Sequence, residues 1–177
     1  MCSRFELKAP AGDIAARFGL TVPPPWPNAT EFRPTDLALA IGVDGPALLR
    51  WGLRVEWDNR PLINARVESI EQKPTFRRLL ANRVLIPASA WWEWNADKVK
   101  MRLAADTGGM MAFAALRDDD AFVILTAAAT AEVRAVHHRM PVLAGADWLD
   151  GGAAPAMDRK IVVAVDQPPS RQGSLFD

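Results

Sequence analysis

Four residues sit where their chemistry could be used: Cys2, Asn64, Glu93 and His137. Cys2 follows Met1, and a small second residue usually permits removal of that methionine. The chain then begins with an amine and a thiol on adjacent carbons. Reference pKa values of ~7.7–8.0 for an α-amino group and ~8.5 for a thiol leave both partly nucleophilic near neutral pH. Together they can trap an aldehyde. The amine forms a Schiff base and the thiol closes a thiazolidine ring. Position alone also allows a chance cysteine after Met.

Asn64-Ala65-Arg66 ends a loop after Pro61. An Asn amide offers an acceptor and two donors that can orient a nucleophile, and Arg66 can clamp a phosphate. The same tripeptide also reads as an Asn turn with an Arg paired to Glu68 or Glu71. In Trp91-Trp92-Glu93-Trp94, a strand places Trp92 and Trp94 on one face and Trp91 and Glu93 on the other. A carboxylate among indoles is desolvated, which raises its pKa and suits acid–base work. It also reads as an edge-strand Glu beside core tryptophans. Two adjacent histidines, His137 and His138, point different ways, so at most one faces a site; the pair also reads as a His packed at a helix end. Histidine can act as acid, base or donor near pH 7. Thr126, closing an apolar run, can offer its hydroxyl to the same place.

Those residues must be positioned by short elements. Ala11–Phe18 reads as a helix, with Pro10 before it and Gly19 as its stop. Residues 21–34 hold five prolines and read as an extended connection. Residues 37–42 and 47–53 flank Asp44-Gly45 and predict a hairpin. Residues 54–64 read as a polar loop, and 75–81 as a helix opened by Pro74. Strand-like runs follow at 83–87, 91–94, 99–103, 110–115 and 122–127. Residues 130–136 predict a brief helix with Thr130 as N-cap, and 146–149 a further helical turn. Ile161–Val165 is an apolar strand. Many strands with short helices between them, outside regular βαβ alternation, predict an α+β fold with a curled or barrel-like mixed sheet and short peripheral helices.

Composition removes several classes. The chain has 177 residues, 21 basic and 21 acidic, so a globally basic nucleic-acid coat is excluded but a local basic face is not. Residues 50–83 carry eight basic and four acidic residues, whereas 103–177 carry six and ten. No apolar stretch approaches the ~20 residues of a membrane span, and the N-terminus lacks a secretory core. A cytoplasmic protein is expected. One cysteine and two histidines exclude an internal disulfide and argue against a closed zinc site. No metal or cofactor is expected. Arginines number 16 against 5 lysines, with seven Trp and no Tyr. That bias is compatible with nucleic-acid contact and equally with base composition and a Trp-rich core.

Taken in order, these segments resemble the SRAP family, the SOS-response-associated peptidase domain. The resemblance rests on Met1-Cys2-Ser3-Arg4-Phe5, Trp51-Gly52-Leu53 with Trp57, Asn64-Ala65-Arg66-Val67-Glu68, Ile86-Pro87-Ala88 with Trp92-Glu93-Trp94, Thr126-Ala127-Ala128 and His137-His138-Arg139-Met140-Pro141. It implies a catalytic domain over residues 1–165; Pro168, Pro169, Ser170 and Gly173 predict a flexible tail over 166–177. It further implies binding of single-stranded DNA and a covalent thiazolidine between Cys2 and the aldehyde of an abasic site, with Schiff-base lyase capacity and reversal. Carried over residue by residue, Cys2 is the nucleophile and Asn64 positions its amine. Glu93 moves protons, and His137 handles the opened deoxyribose. Arg4, Arg66, Arg77 and Arg139 would hold phosphates, and Trp57 would support a splayed base. Ser3 departs from the family's Gly, Glu31-Phe32 from an Asn-containing stretch, and Arg54-Val55 from an apolar-Pro pair. The alternatives are a cysteine peptidase or amidase using Cys2, His137 and Glu93, and a catalytically idle single-strand binder.

Gln172-Gly173-Ser174-Leu175-Phe176 resembles the bacterial sliding-clamp-binding pentapeptide. Gln172, Ser174, Leu175 and Phe176 would supply its contacts; the segment also reads as an idle terminus. The expected partners are therefore abasic single-stranded DNA and the clamp, with the chain itself a monomer near the nucleoid.

Overall fold

The structure, a computed structural model, describes residues 2–27, 29–152 and 160–166. The clamp-like segment lies outside them. Strand β1 is Phe5–Glu6, followed by helix α1, Ala11–Phe18, which ends where predicted because Gly19 takes a left-handed φ of 62°. β2 is Glu31–Phe32 and β3 Leu37–Gly42; β4, Gly45–Trp51, pairs back on β3. Gly42 faces Gly45, so the hairpin turns on Val43-Asp44, one residue earlier than predicted.

The predicted polar loop is largely a hairpin. β5 is Leu53–Val55 and β6 is Asp58–Leu62, and Leu53 pairs with Leu62. Its polar residues sit on a two-stranded ribbon exposed to water, which hid the strands. β7, Asn64–Arg66, follows at once. α2 is only Pro74–Arg77, shorter than predicted. β8 is Arg83–Ala88, β9 Ala90–Trp94, β10 Lys100–Ala105, β11 Met111–Asp118 and β12 Ala121–Ala128. α3 is Ala131–Arg134; Thr130 occupies the N-cap position but makes no side-chain cap. β13 is Arg139–Pro141 and β14 Ile161–Val165. 3-10 turns form at Val67–Ser69 and Ala146–Trp148.

The strands form two main sheets. One has the order β14-β10-β9-β1-β2. The other runs β11-β8-β3-β4-β12-β13; a β11–β12 pairing closes five of its strands into a ring, and β7 adds to β12 in parallel. The fold is thus α+β, mostly strands with short helices, as predicted. Its core joins both sheets through aromatics. Phe5 stacks on Phe32 at 4.9 Å and tilts onto Trp51 at 5.1 Å, with Phe113 edge-on at 5.8 Å. All four are buried. That cluster fixes the chain three residues after Cys2.

Gly52 explains the spacing of Trp51-Gly52-Leu53. Its φ is 120°, and a Cβ there would meet Pro61 Cβ at 2.8 Å. Only glycine lets β4 turn this closely under β6. Trp51 then donates from its indole N–H to the Ile63 carbonyl at 2.9 Å, pinning the backbone immediately before Asn64.

Candidate active site

β12 is the hub of the site. In register, its Ile124 lies beside Asn64, Thr126 beside both Arg66 and Pro141, and Ala128 beside Arg139. One strand therefore carries the Asn64 segment on one edge and the His137–Arg139 segment on the other. β1 and β9 supply the remainder. Phe5 pairs with Trp91, and the Trp92 N–H donates to the Arg4 carbonyl at 3.0 Å. This continues the pairing toward Cys2. β9 is an interior strand between β10 and β1, which removes the edge-strand reading of Glu93.

One hydrogen bond ties β7 to the residues just before β1. Asn64 Nδ2 donates to the Cys2 carbonyl at 2.8 Å. Asn64 Oδ1 is buried and has no hydrogen-bond partner among the described residues. A buried amide oxygen in this state is costly unless it receives a donor, and the Cys2 nitrogen belongs to the residue it already holds.

Cys2 is fully buried, and its thiol reaches the Arg4 carbonyl at 3.7 Å. Burial, and next the charge of Glu93, push the thiol pKa far above its ordinary value. The thiol is therefore neutral and needs a proton acceptor when it reacts. Glu93 is 2% exposed, and burial raises its pKa while the charge of His138 opposes the rise. The charge of Glu93 is thus felt at the Cys2 thiol.

His137 and His138 do not point apart. Their rings stack with centroids 4.5 Å apart, a departure from the predicted division. His137 Nδ1 lies 3.1 Å from the Arg139 N–H and 3.0 Å from its carbonyl, so its ring is held by its own turn. Burial lowers its pKa, favouring the neutral imidazole. Only the fold brings His138 within electrostatic reach of Glu93.

Thr126 and Arg139 are committed to structure. Thr126 is fully buried, and its Oγ1 donates to the Ala65 carbonyl at 3.3 Å. Arg139 holds Glu68 through two bonds of 2.6 and 2.9 Å and donates to the Thr126 carbonyl at 2.5 Å. The Arg139 hydrogen bond drives the Glu68 pKa down to about 2. Arg139 thus clamps β13 to the segment after β7. Arg4 lies over the Trp94 ring at 6.0 Å and 3.9 Å from Glu31.

Trp57, Arg66 and Arg77 are exposed. A cavity of about 400 Å³ is lined by Trp57, Asn64, Arg66, Lys73 and Phe76, among others. Trp57 stands at the tip of the β5–β6 hairpin with 69% of its surface exposed. Arg77 belongs to α2, whose Phe76 and Thr75 help wall the same cavity. Lys73 was not singled out in the sequence, although it lies in the basic stretch of residues 50–83. Asn64 therefore has two faces: it lines this basic, aromatic cavity and it holds Cys2. A larger cavity, about 800 Å³, lies beside Glu6, Lys8, Arg17 and Arg102. Its buried Glu6 is already paired with Lys8 and Arg102, and it contains none of the residues above. Among the described residues no cluster of His, Cys, Asp or Glu could hold a metal ion, and no helix is long and apolar enough to cross a membrane.

A ring-closed sheet, a buried Cys2 held by Asn64 and a basic cavity lined by the same Asn64 match a described family. The chain belongs to the SOS response associated peptidase (SRAP) family, whose profile matches residues 1–170. Among relatives, it is 32% identical to abasic site processing protein YoaM of Bacillus subtilis (strain 168), over 85% of this chain and 79% of that protein. It is 33% identical to abasic site processing protein YedK of Escherichia coli (strain K12), over 52% of this chain and 49% of that protein. The fold is shared with a crystal structure of a Bordetella bronchiseptica protein, at a TM-score of 0.78 and 24% identity, covering 94% of this chain and 100% of that one.

Proposed function

We propose that this chain binds single-stranded DNA and joins an abasic-site aldehyde to Cys2 as a thiazolidine, shielding the lesion. The observation that carries the reading is Asn64, which lines the basic cavity and holds the Cys2 carbonyl at 2.8 Å. A DNA strand in that cavity would present its sugar next to the cysteine. Exposed Arg66, Lys73 and Arg77 would meet phosphates. Trp57 would stack on a base.

The chemistry begins when removal of Met1 frees the Cys2 amine. The amine adds to the aldehyde carbon and gives a carbinolamine. Glu93, whose pKa is raised by burial, would in its acid form give its proton to the departing hydroxyl, and water leaves. The thiol sulfur then adds to the Schiff-base carbon. Its proton passes through the Glu93 carboxylate, and the ring nitrogen ends with one hydrogen. One water is lost overall. The same steps in reverse release the DNA. His137, neutral in its turn, would serve the opened sugar at the Schiff-base stage, where strand cleavage would branch off.

The test is a denaturing gel of purified protein with an oligonucleotide carrying one abasic site. Wild type should give a heat-stable shifted band and Cys2→Ala none. A band that survives Cys2→Ala would overturn the assignment. Absence of any band, from protein shown to have lost Met1, would favour hydrolysis of an acyl substrate instead. The clamp reading is tested separately: deleting residues 172–177 should abolish capture by the sliding clamp, and unchanged capture would refute it.

A further inference from the structure

β14 is an edge strand whose sequence and register are self-complementary. It closes one side of the five-stranded sheet, and no described strand pairs with its outer side. The Asp106 N–H donates to the Lys160 carbonyl at 3.1 Å, and the Asp166 N–H donates to the Lys100 carbonyl at 2.9 Å. With the β10–β14 register, this alternation turns the peptide groups of the even-numbered residues toward β10. The N–H and C=O groups of Ile161, Val163 and Val165 therefore point away from the sheet.

Proteins usually blunt such an edge with charge, proline or a bulge. β14 has none of these within Ile161–Val165. Val162 is 46% and Val165 54% exposed, and Ala164 is exposed too. The charges stand just outside it, Lys160 before and Asp166 after.

We infer that β14 pairs antiparallel with β14 of a second copy of this chain, about a two-fold axis at Val163. In that register Val163 faces its own counterpart, and Ile161 faces Val165 of the second copy. Each of these is a hydrogen-bonded pair and uses the outward peptide groups. The intervening pairs set Val162 against Ala164 of the second copy and Lys160 against Asp166 of the second copy. The outer face of the joint thus carries two apolar pairs flanked by two opposite-charge pairs. Shifting the register by two residues breaks the charge match. Asp166 already meets Lys100 at 2.6 Å, so the joint would extend an existing ion pair. The inference is independent of the DNA chemistry and differs from the monomer expected from sequence. A five-residue joint falls short of the ~1,200 Å² typical of a stable complex, so association should be weak and concentration-dependent.

Sedimentation velocity of the full chain, from low micromolar to several hundred micromolar, tests it. The average mass should climb from one chain toward two. Ala164→Lys, at an exposed position, should keep its folded circular-dichroism spectrum and remain at one chain throughout. In a Cys2→Ser background, an introduced thiol is the only one present. Val163→Cys should then form a disulfide dimer on mild oxidation. Directly opposed residues lie ~5.5 Å apart at Cα, within disulfide reach. Val162→Cys, set against Ala164 of the second copy, should crosslink much less. A wild type that stays at one chain overturns the proposal. So does an Ala164→Lys variant that still dimerises, or a stronger crosslink at position 162 than at 163.

Discussion

Two regions meet at Asn64 and are built on different principles. Behind it, Cys2, Glu93 and Thr126 are buried, and strand register sets their positions. In front, Trp57, Arg66 and Lys73 are exposed on a hairpin tip, a strand end and a loop. A buried cluster has few ways to accommodate change, because each polar group depends on a named partner. An exposed rim acts through summed charge and stacking, and each member contributes modestly. Chemistry should therefore fail abruptly when the inner region is altered, and binding should fade gradually when the outer one is.

The sharpest break is Cys2→Ala. It should abolish the covalent product while leaving salt-sensitive binding to an intact single strand unchanged, as read by fluorescence anisotropy. Parallel loss of binding would merge the two regions into one.

Glu93→Gln should slow both formation and reversal of the product by ~10²–10⁴-fold, the usual contribution of a positioned acid or base. The pH profile carries a sign. Burial raises the Glu93 pKa, so its acid form persists above the ordinary carboxylate value of ~4.3. The rate should fall as pH rises through the raised value, and Glu93→Gln should lose that alkaline limb. Folding stability follows the same direction. It is complete below the ordinary value and declines as the buried carboxyl ionises, so Glu93→Gln should be at least as stable as wild type at pH 8 in thermal melts.

Glu68→Gln tests the boundary. The Arg139 pair holds the Glu68 pKa near about 2, so its stabilisation is present above the unfolded value and lost as pH falls from there toward 2. The carboxylate side chain is 51% exposed, which limits the pair to ~1 kcal/mol after screening. Wild type and variant should differ in Tm at pH 7 and converge at pH 2.

The smallest effects belong to the rim. Arg66→Gln and Lys73→Gln should each weaken DNA binding a few-fold and lower the salt slope by ~1, without changing the rate of crosslinking at saturating DNA. A change in that rate would mean that the rim also positions the sugar.

What was legible in the sequence divides along the same line. Helix α1 was readable from Pro10, its periodicity and Gly19, because these signals are local. β8, β9, β11 and β12 were readable within a few residues from apolar runs. The β5–β6 hairpin was not, since its polar, Pro-containing strands form by pairing with each other at the surface. The candidate site was readable as separate motifs. Their convergence depends on parallel pairing of β7 with β12 and on the Cys2–Asn64 contact across 62 positions. No local pattern encodes either. The Arg139–Glu68 pair spans 71 positions, and the histidine stack is a matter of side-chain rotation. Residue types announced the chemistry; which arginine is engaged and which is exposed emerged only from the fold.

The central claim is that an amine and a thiol on Cys2 close a ring on one aldehyde carbon. Intact-mass analysis of the heat-stable product tests it most directly. The account predicts the mass of the chain lacking Met1 plus that of the abasic oligonucleotide, less one water, with the crosslinked peptide beginning at Cys2 and its thiol inaccessible to alkylation. A product that retains Met1, or whose Cys2 thiol is still alkylated, would contradict it.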